Sequence, residues 1–187
     1  MALVAVTRLR NKQHQLDLLW LGRGESQWKR AAPPAPMHPP SPQSMSDTFT
    51  LHPQLAHDCA LVGRFPLCLL LLMRDANYPW FILVPQRDGV GEIYELTDAD
   101  QHQLLHESMV LSPAIMTAFD GDKLNVAALG NVVPQLHIHH VVRRHGDPAW
   151  PAPVWGAVPS KAYGEDALQE RINTVRRILP APFDGAH

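Results

Sequence analysis

The sequence has few of the features that mark secreted, membrane-spanning or nucleic-acid-coating proteins. Its 187 residues include only two cysteines, too few for the disulfide framework of a small secreted domain. An apolar run at residues 67–73 ends at Arg74 and Asp75 and is far shorter than the ~20 residues that a membrane span needs. The formal net charge is −2, which argues against a protein that coats nucleic acid. We therefore expect a cytoplasmic protein without membrane or nucleic-acid partners.

Residues 1–47 differ in composition from the rest of the chain. Basic side chains outnumber acidic ones over residues 1–30, and residues 31–42 contain six prolines. Proline lacks the backbone donor that helices and sheets require, so this part is predicted to be a disordered, proline-rich extension. We expect Met45 to be the natural start, with residues 1–44 an upstream extension of the reading frame. An intact-mass measurement of the protein from its own cells checks this expectation.

Hydrophobic periodicity divides the remainder into strands and helices. The chain is 45% hydrophobic and 18% charged, which suffices for one core. We predict a domain over residues 48–145, and a Trp/Pro loop and C-terminal helix over residues 146–187 that pack on it. The element order predicts an α+β fold with a mostly antiparallel sheet. The predicted strands cover residues 67–73, 80–85, 123–129 and 135–143, with a short extended piece at 92–96, and the predicted helices cover 98–119 and 165–179.

The most informative segment is the predicted strand over residues 135–143, where polar rings and an amide alternate with aliphatic residues. Successive side chains of a strand point to opposite faces. Gln135, His137 and His139 are therefore expected on one face, and His140 with its aliphatic neighbours on the other. A row of imidazoles on a rigid element suits chemistry on phosphates or metals.

This segment resembles the active-site strand of the histidine triad (HIT) superfamily, in which three histidines alternate with aliphatic residues. Gln135 takes the place of the first histidine, His137 is at the middle position and His139 at the third. The likeness extends over roughly residues 50–145. It implies a HIT-like fold, with a long helix between a hairpin and the active-site strand. It also implies a hydrolase or transferase that cleaves a substituted α-phosphate of a nucleotide, such as a diadenosine polyphosphate or a nucleoside phosphoramidate.

The resemblance assigns a catalytic role to each residue of the motif. The middle histidine of the family attacks the α-phosphate, so His137 is the expected nucleophile, and a neutral imidazole is competent for this attack. His139 is expected to contact the phosphate or to help the leaving group. Gln135 can donate to a phosphate oxygen, but an amide cannot carry a proton between groups.

Three further residues match the family's substrate contacts. Asn125 and Asn131 are expected to approach the phosphates, and Asp75 is expected to accept from the ribose hydroxyls because a carboxylate accepts from both. Each is also an ordinary strand-end or turn residue. Val132 occupies a position where the family often has a hydroxyl, which marks a divergence from the pattern.

Two other functions stay open at this point. The losses at Gln135 and Val132 fit a nucleotide-binding or signalling module with little or no catalysis. A metal site from His137, His139 and His140 is the third alternative, although His140 is expected to face away from the other two. No cofactor is predicted, and the resemblance implies a homodimer.

Overall fold

The computed structural model of the protein describes residues 49–185. The expectations for residues 1–47, including a start at Met45, lie outside the described residues. Within the described part, no helix is long and apolar enough to cross a bilayer.

A five-stranded antiparallel sheet forms the centre of the fold, in the order β1-β2-β3-β5-β4. This arrangement, with a long helix between β3 and β4 and a helix near the C-terminus, confirms the predicted α+β, HIT-like fold. The strands are β1 (Cys59–Arg64), β2 (Cys68–Met73), β3 (Trp80–Pro85), β4 (Lys123–Ala127) and β5 (Ile138–Arg143), and the helices are α1 (Pro53–Asp58), α2 (Asp98–Ala118) and α3 (Glu165–Ile178).

The sequence pattern missed the first two elements, α1 and β1. The short helix α1 begins at a proline, and its N-cap is His52, whose Nδ1 accepts from the backbone N–H of Gln54 at 3.1 Å. Strand β1 carries an irregularity between Leu61 and Gly63, which breaks the alternation that would have identified it.

Two predicted extended segments were also wrong in detail. Residues 93–95 form a short 3-10 helix, because the Glu95 carboxylate accepts from the backbone N–H groups of Gly91 and Glu92 at 2.8 and 3.0 Å. The motif strand begins at Ile138, three residues later than predicted, so Gln135 and His137 precede it.

Helix α2 is fixed to the sheet by a buried carboxylate. Glu107 is on the inner side of the helix and is almost fully buried. Its two oxygens accept from the backbone N–H groups of Leu67 and Cys68 at 2.7 and 3.0 Å, just where β2 begins. The helix therefore satisfies donors that the turn between β1 and β2 leaves open.

The sheet buries both faces against different partners. The face that we call the helix face packs against α2 and α3, and includes Leu70, Phe81, Ile138 and Val142. The opposite face, which we call the loop face, packs against α1 and the Trp/Pro loop. Its residues are Leu71, Trp80, Ile82, Val84 and Val141, covered by Leu55, Ala149 and Val154.

Candidate active site

Strand β5 places the histidines at an interior position of the sheet. It lies between β3 and β4, so that His139 pairs with Ile82 on one side and Ala127 on the other. His137 directly precedes the strand, and its ring centroid is 4.9 Å from that of His139. Both are nearly buried, at 7% and 6% exposure. The structure thus brings together the two imidazoles that the motif indicated.

The hydrogen bond of His137 determines which ring nitrogen is available. Its Nδ1 lies 2.7 Å from the backbone carbonyl of Gln135, and a carbonyl only accepts. Nδ1 therefore carries the proton, and in the neutral ring Nε2 holds an unshared electron pair. This is the arrangement that a histidine nucleophile requires.

His139 is held by a tryptophan of the neighbouring strand. The Trp80 indole N–H donates to Nδ1 of His139 at 2.9 Å. Burial lowers the pKa of His139 to about 4, and the adjacent His137 and His140 rings add to the shift. The ring is therefore neutral near pH 7.

His140 faces the opposite side of the sheet and is fully buried. Its Nε2 lies 2.7 Å from the Ser108 hydroxyl of α2, and its Nδ1 lies 3.2 Å from the Ile138 carbonyl. Both nitrogens are thus engaged by the fold. Within residues 49–185, no three His, Cys, Asp or Glu side chains are grouped to hold a metal ion.

The Gln135 side chain contacts the segment that precedes α1. Its amide oxygen accepts from the backbone N–H of His52 at 2.9 Å, and its amide nitrogen donates to the Thr50 carbonyl at 3.0 Å. Gln135 therefore makes two separate kinds of contact. Its side chain binds the segment before α1, and its backbone carbonyl accepts from His137. No local pattern in the sequence indicates the side-chain partners, because they lie 83 and 85 positions away.

Asn125 belongs to a partly buried hydrogen-bond network on β4 and β5. It pairs with Val141, and directly opposed residues share a face, so Asn125 is on the same face as His139. Its Oδ1 accepts from the Arg143 guanidinium at 2.7 Å, which leaves the amide nitrogen as its donor toward a ligand. Arg143 is buried and is also bound by both oxygens of Asp147, at 2.7 and 3.0 Å.

The turn that follows β4 lies against His137. Leu129 and Gly130 line a small recess there, together with Gly91 and Glu92. Gly130 has a positive φ of 70°, a conformation that glycine adopts without strain. The neighbouring Asn131 and Val132 are exposed.

A larger cavity of about 420 Å³ lies beside Trp80. Trp80 and Trp155 form aromatic walls, and each also contacts the His139 ring. Asp75 is in the lining, and its Oδ1 accepts from the backbone N–H groups of Asn77 and Lys161 at 3.0 and 3.1 Å. Other titratable groups in the lining are His57, Asp58 and Arg74.

Comparison with known proteins agrees with this geometry. The family model of the HIT domain matches residues 54–146. A histidine triad protein from Marinobacter aquaeolei is 51% identical, with a TM-score of 0.68 over 70% of this chain and 96% of that chain. One from Bradyrhizobium japonicum is 44% identical, with a TM-score of 0.69 over 71% of this chain and 98% of that chain.

A third histidine triad protein, from Sinorhizobium meliloti, is 40% identical, with a TM-score of 0.69 over 71% of this chain and 98% of that chain. No curated protein matches the sequence. The three solved structures are matched over nearly their whole length, and each is at least 40% identical. By fold, motif and sequence, this chain belongs to the histidine triad (HIT) family.

Proposed function

We propose that the protein is a nucleotidyl hydrolase or transferase that cleaves a substituted α-phosphate of a nucleotide through a covalent intermediate on His137. The observation that carries this proposal is the bond from His137 Nδ1–H to the Gln135 carbonyl, which leaves Nε2 free to attack. Dinucleoside polyphosphates and nucleoside phosphoramidates are the expected substrates.

The reaction proceeds by two displacements at phosphorus. Nε2 of His137 attacks in line, the Nε2–P bond forms, and the bond to the leaving group breaks with its electron pair on the leaving group. The imidazole becomes cationic, and its Nδ1–H donates to the Gln135 carbonyl throughout. Water then attacks phosphorus and loses a proton to solvent, while the Nε2–P electron pair returns to His137.

Groups on the loop face of the sheet stabilise the negative charge of the phosphoryl oxygens. The His139 ring is close enough to His137 for both to contact one phosphate. The free amide nitrogen of Asn125 supplies a further donor, and Asn131 directly follows Gly130, which lines the recess at His137. We assign Gln135 a role through its main-chain carbonyl, because its side chain would have to release Thr50 before it could donate to a phosphate.

The nucleoside is proposed to occupy the cavity next to Trp80. Its two indole walls provide flat apolar surface for a base, and the Asp75 carboxylate offers acceptors for ribose hydroxyls. The backbone bonds of Asp75 to Asn77 and Lys161 hold that carboxylate in place.

A second copy of the chain is the proposed macromolecular partner. Leu105 and Met109 on α2 are 59% and 53% exposed, and Val126 is exposed on β4, one of the two edge strands of the sheet within the described residues. Exposed apolar groups beside a free strand edge favour pairing between copies. Sedimentation analysis of the wild type and of Met109→Glu tests this; a monomeric wild type contradicts it.

Turnover is the decisive test. Purified protein is incubated with diadenosine tetraphosphate and, separately, with adenosine phosphoramidate, and AMP is followed by chromatography. AMP release should fall by at least about 10⁴-fold in His137→Ala, since the nucleophile is removed. The matched control is His106→Ala, an exposed histidine on α2. Equal AMP release by His137→Ala and wild type would refute the proposal.

The alternative is a nucleotide-binding module with little turnover. It is favoured by Val132, which is 88% exposed where the family often has a hydroxyl, and by the engaged side chain of Gln135. The same samples distinguish the two functions: nucleotide bound by the wild type without any AMP release supports the module.

A further inference from the structure

Two tryptophans flank the His139 ring in closely similar positions. The ring centroids of Trp80 and Trp155 lie 5.5 and 5.6 Å from that of His139, with interplanar angles of 64° and 72°. Only one of them makes a hydrogen bond: Trp80 donates to His139, whereas the buried Trp155 Nε1 has no partner within the described residues. Trp80 therefore packs against His139 and also hydrogen-bonds to it, whereas Trp155 only packs against it.

The Trp80 bond dictates where the proton of His139 resides. An indole N–H can only donate, so Nδ1 of His139 must present its electron pair. In the neutral ring the proton is then on Nε2. His137 has the opposite arrangement, because its Nδ1–H faces a carbonyl. Adjacent rings of one motif are thus fixed in complementary tautomers, one with a free electron pair on Nε2 and the other with a free N–H there.

We propose that Trp80 is a positioning residue, which holds His139 as a neutral imidazole with its proton on Nε2 so that this N–H donates to the phosphoryl group that His137 attacks. The tautomer follows from the hydrogen bond alone, while the donation to a phosphoryl group rests on the proposed function. The other tautomer would place an electron pair against a phosphoryl oxygen, and the interaction would be repulsive.

The sheet register makes this bond possible and keeps it in place. Trp80 on β3 is directly opposite Val141 of β5, and His139 is two positions from Val141 on the same face. The indole therefore reaches the imidazole along the diagonal of the strand pair, which suits a long aromatic side chain. Trp80 is itself nearly buried and packs edge-to-face on Tyr78.

A neutral His139 also suits the charge that develops on its neighbour. His137 becomes cationic when its Nε2 bonds to phosphorus, and the two ring centroids are only 4.9 Å apart. A second cation at this distance in a buried site would oppose the attack. Protonating His139 at Nδ1 would break the Trp80 bond, so Trp80 favours the neutral form.

The wild type by itself offers a direct test. In uniformly ¹⁵N-labelled full-length protein, a scalar coupling across the hydrogen bond should link Trp80 Nε1 to His139 Nδ1. The long-range ¹H–¹⁵N spectrum should show the proton of His139 on Nε2. A His139 ring protonated on Nδ1, or the absence of the coupling, would overturn the proposal whether or not the protein turns over nucleotides.

A matched pair of variants then isolates the indole N–H. Trp80→Phe and Trp155→Phe each replace an indole that contacts His139 with a ring lacking the N–H. We expect the pKa of His139 to rise by about one pH unit in Trp80→Phe, since one hydrogen bond to the neutral form is lost. In Trp155→Phe the pKa and tautomer of His139 should stay as in the wild type. Equal pKa values in the two variants contradict the proposal.

Other titratable groups near His139 are the same in both variants, so they do not account for a difference. They are His137 and His140 on its own segment, Arg143 and Asp147 further along the loop face, and His57, Asp58, Arg74 and Asp75 around the cavity.

Kinetics give a separate readout on active protein. Trp80→Phe should lower kcat about tenfold with a smaller change in KM, because one hydrogen bond to the donor ring is lost. A change confined to KM would contradict the positioning role, while an inactive wild type with the predicted tautomer would refute only the proposed reaction.

Discussion

The two faces of strand β5 carry adjacent histidines with similarly lowered pKa values and different hydrogen-bond partners. Burial lowers the pKa of both His139, on the loop face, and His140, on the helix face, to about 4. Both nitrogens of His140 are engaged, by Ser108 and by the Ile138 carbonyl. His139 has a single partner, Trp80, and within the described residues nothing bonds to its Nε2. Hydrogen-bonding capacity that the fold leaves unused therefore distinguishes the candidate site residue His139 from His140, whereas burial and pKa do not.

The largest expected effect is acid destabilisation, to which both faces contribute. A histidine with a lowered folded-state pKa binds fewer protons folded than unfolded between pH 4 and 6.5, so stability is present above pH 6.5 and is lost as the pH falls toward 4. Each ring accounts for up to about 3 kcal/mol. Urea unfolding at pH 7.5 and pH 4.5 measures the loss.

Replacing His140 should remove the contribution of that ring to the pH dependence of the free energy of unfolding. His140→Asn is the variant to compare with wild type across the same pH range. An unchanged pH dependence would mean that His140 is not held neutral by its buried site.

The next effect concerns the helix face alone. Glu107→Ala removes the acceptor of two buried backbone N–H groups, those of Leu67 and Cys68, and should lower the free energy of unfolding by about 2–4 kcal/mol. Glu107→Gln keeps one oxygen acceptor and should cost less. Chemical denaturation measures both, and an effect on turnover per folded molecule would break the separation between the two faces.

The next comparison removes each of the two adjacent imidazoles in turn. His139→Ala should lower turnover about 10²-fold, as expected for the loss of a phosphoryl donor. His140→Ala should leave turnover of the folded protein within about threefold, and should lower stability by about 1–3 kcal/mol through the unpartnered Ser108 hydroxyl and the cavity. Assays of rate and of unfolding on both variants are needed. A larger rate loss in His140→Ala reverses the assignment.

The smallest effect is at Gln135. Gln135→Ala frees the backbone groups of Thr50 and His52 but retains the carbonyl that holds His137, so turnover should fall by no more than about tenfold. Gln135→His should not exceed the wild-type rate, because the side chain serves the segment before α1. A large gain on restoring histidine would show that the missing ring limits catalysis.

Much of the fold could be predicted from the sequence because its signals are local. Apolar runs located β2 and β3, and the helix predicted over residues 98–119 matches α2, whose N-cap Thr97 accepts from the backbone N–H of Asp100. The alternation over residues 135–143 identified the motif and placed His140 on the other face from His137 and His139. The short helix α1 and the irregular strand β1 escaped, since neither shows a clear period.

The sequence by itself determined the α+β fold, the family and the two imidazoles, because periodicity and motif spacing depend on neighbouring residues. Only the tertiary structure decided which nitrogen of each ring is free. That choice depends on partners far apart in the chain: Trp80 is 59 positions from His139, and the groups that bind the Gln135 side chain are more distant still. A hydrogen bond requires donor and acceptor within about 3 Å of one another, and only the folded sheet brings such residues together.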